Sequence, residues 1–443
     1  MTITTREAAA PLPILTQKRI FSYWLPLAAS WLLMASEMPF INGWLARLND
    51  AERMIAAFGI VAVISITIES PVIALLPTST TLSRTRQSYC QVRRFTLHLM
   101  AGTTLLHFLM GWTPLFDLVI KQWMQVPESL IASTRAGMKI MLLWSAAIAY
   151  RRFKQGVLIR YGEAHYVSKG SMLRLFVSAG AATLLAVSTG LPGIVVATLA
   201  LSCGVVAEAG YAHWAARKII AKNFDPDVPS PDEPELSYRD LVKFHWPLAA
   251  SNLLFLLTSP LIAASLARSP NPEFSLAAWP ILSGLLFFSR APVVALPEVI
   301  IALDQEMGSR KALKNFSLAI GIISSLALAV VSYTPLAEFY FQTMINVSAE
   351  LAAIATLGGK IGLLIPISMA GVSLYRGWMA AHRMTMPVSI GMAVDLIVMA
   401  AALYLGVVWK FPGIPTAVAA ITLALTAEVG VLMLAAKRVR LFQ

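Results

Sequence analysis

Four ionisable residues stand deep inside apolar runs of this 443-residue chain: Glu69, Arg174, Arg290 and Asp395. A charge in such a run costs about 2.5–3.5 kcal/mol on the insertion scale, so it must face a polar cavity or a partner. Their spacing relates them. The same 221 residues separate Glu69 from Arg290 and Arg174 from Asp395, so each half of the chain holds one acid and one base with signs exchanged. Two arrangements follow. Glu69 pairs with Arg174, and Arg290 with Asp395, each within its own half. Alternatively, Glu69 and Arg290 face one another across an axis, as a gate opened by substrate or by a proton on Glu69. A freed Arg290 offers a planar fork suited to carboxylate or phosphate. Glu37 has no acidic counterpart, since Thr258 holds the equivalent position. Next to the helix-disturbing Pro39, it is a candidate for ion coupling, as is Glu69.

Covalent chemistry is not what these residues offer. The six histidines show no H-x₃-H or H-E-x-x-H spacing, and neither G-x-S-x-G nor a P-loop occurs. Cys90 and Cys203 are too few and too far apart for a disulfide framework or a zinc site. The expectation is no catalytic residue, no metal and no cofactor, with energy from a proton or sodium gradient or the membrane potential.

The elements that hold these charges are read from composition. The chain is 57% hydrophobic and 13% charged, where a soluble domain carries about 25% charged residues. With a transmembrane helix needing about 20 apolar residues, twelve spans are expected. They are 21–45, 54–78, 96–119, 130–149, 167–189, 193–215, 244–266, 276–303, 316–339, 351–372, 387–408 and 413–435. Of 35 basic residues, 25 fall in loops on one side and 8 on the other, while Arg174 and Arg290 lie inside spans. By the positive-inside rule both termini are cytoplasmic, and the formal net charge of +12 is topogenic, with no nucleic-acid role.

The halves repeat one another. PLAAS occurs at 26–30 and 247–251, and about twenty of the fifty residues in 26–75 recur 221 positions later. The register continues through Gly137/Gly358, Lys139/Lys360 and Gly170/Gly391. After one deleted residue it resumes at Glu208/Glu428. The expected fold is therefore an all-α polytopic membrane protein of two parallel six-helix repeats. Residues 1–19 form a cytoplasmic tail, 20–220 an N-terminal lobe, 221–240 a Pro-rich acidic linker and 241–443 a C-terminal lobe. An even number of spans per half gives both the same orientation, so the axis runs along the membrane normal.

Further residues have secondary roles. Glu208 and Glu428 read as packing residues common to both halves, paired with a loop arginine. Lys139 and Lys360 read as interfacial snorkelling residues or part of an anion vestibule. Trp31, Asn42, Asn252, Trp279, Phe287 and Phe288 are candidate cleft residues. Pro26, Pro39, Pro71, Pro247, Pro260 and Pro292 mark hinges or static kinks. Arg151, Arg152, Lys154 and Arg160, with Arg376 and Arg383, crowd one end as topogenic charge or a basic vestibule.

Twelve spans as 6+6, a middle linker and paired proline-containing helices resemble the multidrug/oligosaccharide-lipid/polysaccharide (MOP) exporter superfamily, whose MATE members share this plan. Within it, three segments resemble the progressive ankylosis (ANK) family. They are Phe244-His245-Trp246-Pro247-Leu248-Ala249, Gly377-Trp378-Met379 with Ala381-His382-Arg383-Met384-Thr385, and Glu428 with 432–436. The resemblance implies export of a small polar anion, pyrophosphate- or citrate-like; a siderophore is a further candidate cargo, and the expected setting is a monomer in a bacterial inner membrane. Wider members export drugs against protons or sodium, or flip lipid-linked glycans, and these stand as alternatives.

Overall fold

The computed structural model describes residues 15–224, 235–304, 306, 308–382 and 384–438. Most of the expected tail, the core of the linker and Arg383 lie outside the described residues. Within them the chain is helical throughout, with no strand. Apolar runs become helices because a helix satisfies every backbone group within its own segment, which hydrocarbon demands.

The first half contains six helical rods. These are α1 (Gln17–Leu45); α2 (Ala51–Ile68, continued by Ser70–Ile73 and Leu75–Leu82); α3 (Arg86–Trp112); α4 (Glu128–Ile140, continued by Leu142–Arg160); α5 (Ala164–Ser188); and α6 (Gly193–Asn223). The second half repeats them. It holds α7 (Tyr238–Leu256 with Thr258–Ala267); α8 (Pro272–Val294 with Leu296–Leu303); α9 (Ser309–Tyr333); α10 (Ala349–Ile361 with Ile365–Ala381); α11 (Thr385–Val408); and α12 (Gly413–Arg438).

Ten of the rods are each long and apolar enough to cross a membrane, and α3 joins them through a 62° bend into the turn Asp117–Trp123. The exception is α4, which carries Arg135, Lys139, Arg151, Arg152, Lys154 and Arg160 along its length. Sequence patterning ends this span at 149 and leaves the last four of these in a loop. The helix instead runs to Arg160, and Arg151 and Lys154 are buried in it, 4% and 5% exposed. Polar partners inside the bundle make that burial tolerable, as described below.

The duplication reaches into local irregularities. A π-helical turn follows α3 at Asp117–Trp123 and another follows α9 at Phe339–Ile345. Both α2 and α8 step at an alanine, Ala74 and Ala295, which are equivalent positions. Gly137 lets α4 approach α2 and α6: a Cβ there would lie 2.8 Å from Val61 and 3.0 Å from Ile194. Its equivalent Gly358 is tighter, with Leu282 at 2.2 Å. Small residues at such crossings let helices pack closely where no hydrophobic effect drives them together.

The two sequence halves are interleaved. At the end where α1 begins, here the basic end, α1 leaves its own repeat. Ile20, Trp24 and Ala28 share a core with Val293, Leu296, Leu313, Phe316 and Ile320 of the second half. Trp24 Nε1 donates to the Pro292 carbonyl at 2.8 Å, and its ring meets Phe316 edge-on at 5.7 Å. The second half returns the exchange through α7. His245, the equivalent of Trp24, lies beside the Pro71 carbonyl, joins Thr78 Oγ1 at 3.0 Å and meets Phe95 edge-on at 4.8 Å.

Candidate functional site

The deepest polar cluster lies inside the first half, where α1, α4, α5 and α6 meet. Glu37 on α1 and Glu208 on α6 are both buried, and Arg174 on α5 stands between them. Arg174 Nη2 lies 2.9 Å from Glu37 Oε2, and its Nε lies 3.8 Å from Glu208 Oε2. Arg151, reaching from α4, forms a second ion pair with Glu208. The remaining carboxylate lone pairs are also used. Gln155 Nε2 and the Ser171 hydroxyl donate to Glu208 Oε1 at 3.0 and 3.2 Å. The Ser178 hydroxyl donates to Glu37 Oε1 at 2.9 Å. The cluster is thus two carboxylates and two guanidiniums in one chain, with neutral donors at its edges. Such a chain rearranges as a unit, because any single loss strands a buried charge.

This arrangement differs from both pairings expected from sequence. Arg174 pairs with Glu37 and Glu208 instead of Glu69. The reason is helix adjacency: α5 packs on α1 and α6, while Glu69 sits on α2, which packs on α4. Glu37, the acid with no acidic counterpart in the second half, has Arg174 and Ser178 as partners. Glu69 is fully buried, with Ser145 and Arg151 as its polar neighbours. Neither of its carboxylate oxygens completes a hydrogen bond, and the neighbouring Ser145 hydroxyl is joined to His107 Nδ1 at 2.9 Å. Among the described residues no ion pair joins Glu69 to Arg290.

In the second half the chain is shorter. Arg376 on α10 grips Glu428 on α12 with Nε at 2.7 Å and Nη2 at 2.6 Å. Asp395 on α11 is their neighbour, and its buried Oδ1 makes no hydrogen bond. Arg290 does not reach it. Gln155 and Arg376 are equivalent positions, each directly before an equivalent glycine, Gly156 and Gly377. The second half therefore supplies its cation from that position, whereas the first half supplies two from Arg151 and Arg174. Gln155, Ser171 and Ser178 were not read as site residues from sequence, and Arg151 was read only as topogenic or vestibule charge. The available signal was the i, i+4 pair Arg151/Gln155 facing a glutamate that recurs as Glu208/Glu428.

Arg290 sits half-buried at mid-span on α8, with no carboxylate partner among the described residues. Its guanidinium lies 5.5 Å from the Phe287 ring, and Phe287 meets Trp31 of α1 edge-on at 6.5 Å. The sequence-derived cleft residues Trp31 and Phe287 are thus brought together with Arg290 at the α1–α8 junction. Asn42 is buried with its Oδ1 unbonded, Asn252 and Trp279 are half-buried, and Phe288 is exposed. Lys139 and Lys360 each lie over an aromatic ring, Trp112 at 5.7 Å and Tyr333 at 5.1 Å, and those rings are themselves equivalent positions. That is interfacial cation–π packing.

The end opposite the basic one is latched between halves, again symmetrically. Arg47 donates to the carbonyls of Met344 at 3.0 Å, Ile345 at 3.2 Å and Thr343 at 3.3 Å, at the end of the second half's π-turn. Its equivalent Arg268 donates to the Trp123 carbonyl at the end of the first half's π-turn. The equivalent carboxylates of Glu52 and Glu273 accept from Ser348, at 2.8 Å, and from Ser129. Between these contacts α2 and α8 touch at the axis itself: a Cβ on Gly59 would lie 2.4 Å from Pro280, which is the equivalent residue.

Two six-helix repeats with equivalent broken helices, meeting on a pseudo-two-fold axis, define the MATE transporter fold. The solved structures agree. A multidrug resistance MATE transporter of the MOP superfamily, in its inward-facing conformation, superposes with a TM-score of 0.70 over 94% of this chain and 97% of its own, at 13% identity. A point mutant of the Vibrio cholerae MATE transporter VcmN gives a TM-score of 0.65 over 96% of this chain and 97% of its own, at 18% identity. The lipid II flippase MurJ, in an inward closed conformation, gives 0.64 over 95% of this chain and 87% of its own, at 11% identity. No protein-family model and no curated protein sequence matches the chain.

Proposed function

We propose that the chain is a secondary transporter that exports a small polar anion by alternating access between two lobes, residues 20–220 and 241–443. Both termini lie in the cytoplasm, so the latched end is extracytoplasmic and the conformation described is sealed on that side. The inward-facing state of the MATE transporter with TM-score 0.70 supports this assignment. The observation that carries the anionic cargo is Arg290. A guanidinium at mid-span without a carboxylate, beside the aromatic pair Phe287 and Trp31, suits a carboxylate or phosphate compound. Pyrophosphate, citrate-like metabolites and siderophores are the candidate cargoes, in keeping with the ANK resemblance.

The negative interior of a cell supplies about 2.3 kcal/mol per charge per 100 mV toward anion export, so the membrane potential alone can drive it. Where an ion is coupled, the buried carboxylates Glu69 and Glu37 are its sites. A cation-coupled multidrug exporter is the second reading. The name of the inward-facing MATE neighbour and the unpaired Glu69 and Asp395 carboxylates favour it.

The test is flux from proteoliposomes loaded with pyrophosphate, citrate or a cationic dye. Anion export that falls at least about tenfold in Arg290→Ala, with dye flux absent, supports the proposal. Equal anion flux by both proteins sinks the Arg290 assignment. Dye flux that depends on Glu69 selects the second reading.

A further inference from the structure

A second cationic site lies outside this pathway, on the perimeter of the first half near the basic end. There α3, α4 and α6 form a cleft of about 380 Å³. Lys154 of α4 is its floor, and Arg93 of α3 and Arg217 of α6 stand at its walls. The Lys154 side chain is buried, and its Nζ donates to the Tyr89 hydroxyl at 3.1 Å. The rings of Phe153, Tyr150 and Tyr89 surround the ammonium at 5.1, 5.4 and 5.7 Å. Among the described residues no carboxylate lies within ion-pair distance of Lys154, Arg93 or Arg217. Three cations thus converge on a space that no acid among the described residues neutralises.

We propose that this cleft binds the phosphate group of an anionic phospholipid. Three observations point to phosphate and to lipid. Arg93 stands seven residues into α3 and Arg217 six residues before the end of α6, so at 1.5 Å per residue both lie about 10 Å inside the helix ends, at headgroup depth. The other side of α4 packs against α2, where the Ser79 hydroxyl donates to the Phe153 carbonyl at 2.9 Å, and the cleft opens past the exposed side chains of Arg93 and Arg217. Its wall continues in exposed Leu97, a surface for acyl chains. Basic pockets between helices at the cytoplasmic side are where anionic headgroups bind.

The duplication shows that the fold does not require the buried lysine or its cage, while the flanking cations Arg93 and Arg217 recur as Lys314 and Lys437. The positions equivalent to Lys154, Tyr89, Tyr150 and Phe153 hold Tyr375, Arg310, Gly371 and Leu374. The buried lysine and its aromatic cage belong to the first half alone, as expected of a site and not of a packing rule.

The experiment is native mass spectrometry of the full chain, purified in detergent and mixed with equal amounts of phosphatidylglycerol and phosphatidylethanolamine. Wild type is expected to retain phosphatidylglycerol preferentially. Losing both exposed cations in Arg93→Ala/Arg217→Ala should cut that preference at least about tenfold, at roughly fivefold per charge. Lys154→Met should do the same, while Lys437→Ala, at the equivalent of Arg217, should change nothing. The exposed pair of substitutions does not threaten folding, so the test survives if Lys154→Met fails to fold. Adding sodium pyrophosphate separates the sources: retention assigns the site to lipid, and displacement assigns the same phosphate chemistry to a soluble compound. Equal retention of the two lipids by wild type, or an undiminished preference in the Arg93/Arg217 variant, overturns the proposal.

Discussion

Removing the two symmetry-related arginines of the latched end should open it. Arg47 holds three carbonyls of the opposite half and Arg268 holds one, and both lie at the ends of π-turns whose last carbonyls lack helical partners. A hydrogen bond from a charged donor is worth about 1.5–3 kcal/mol when buried, and partial exposure brings each arginine to about 1–1.5 kcal/mol. The pair then contributes about 2–3 kcal/mol, and at 1.4 kcal/mol per factor of ten the closed-to-open ratio falls roughly 30–150-fold. The assay is electron–electron distance measurement between spin labels at Asn49 and Asn271, in a background with the exposed Cys90 and Cys203 replaced by serine. Arg47→Ala/Arg268→Ala should add a longer distance that each single variant populates less. Arg47→Lys should fall between, since a lysine ammonium cannot span the carbonyls that the guanidinium fork reaches. A double variant with the wild-type distance distribution would refute the reasoning, because the seal would then rest on the Ser348–Glu52 and Ser129–Glu273 hydrogen bonds and the Gly59–Pro280 contact.

Three further outcomes follow from the bundle. Glu208→Gln strands the buried Arg151, while Arg174 keeps Glu37, and should cost about 3–5 kcal/mol; Glu428→Gln strands the less buried Arg376 and should cost less, so thermal unfolding in detergent should rank Glu208→Gln below Glu428→Gln. Gly358→Ala drives a methyl into Leu282 and should cost about 1–3 kcal/mol; the same melt should show Gly137→Ala to be milder, its nearest neighbour being farther away. Lys139→Ala and Lys360→Ala remove interfacial cation–π contacts only, worth about 0.5–1 kcal/mol each at exposed sites; flux should stay within about twofold of wild type, and a larger loss would place these lysines on the anion path.

The helices were legible because hydrophobic runs of the right length leave the chain no alternative in a bilayer. The repeat was legible because prolines, glycines and charges recur in one register. The pairing of the four deepest charges was not. Sequence places Glu69 and Arg174 at similar depth, but partner choice depends on which helices touch, and α5 touches α1. The buried ends of α4 were missed for a related reason. Arg151 and Lys154 look like loop charges until Glu208 and Tyr89 are brought to them from helices more than fifty residues away in sequence. The arginine contacts of the latch were missed because their acceptors are backbone carbonyls, which have no sequence signature. Only the equivalence of Arg47 and Arg268 hinted that the position matters.

The exchange of α1 and α7 has a consequence for biogenesis. The first half emerges from the ribosome with the groove between α2 and α3 empty, and the segment that fills it, led by Tyr238 and His245, is made only later. The near end of α1 waits longer still, until Pro292 and Phe316 have been synthesised. Neither half reaches its final packing alone, so insertion of α8 and α9 completes α1. A chain severed between α6 and α7 should therefore yield stable protein only when both fragments are made in the same membrane.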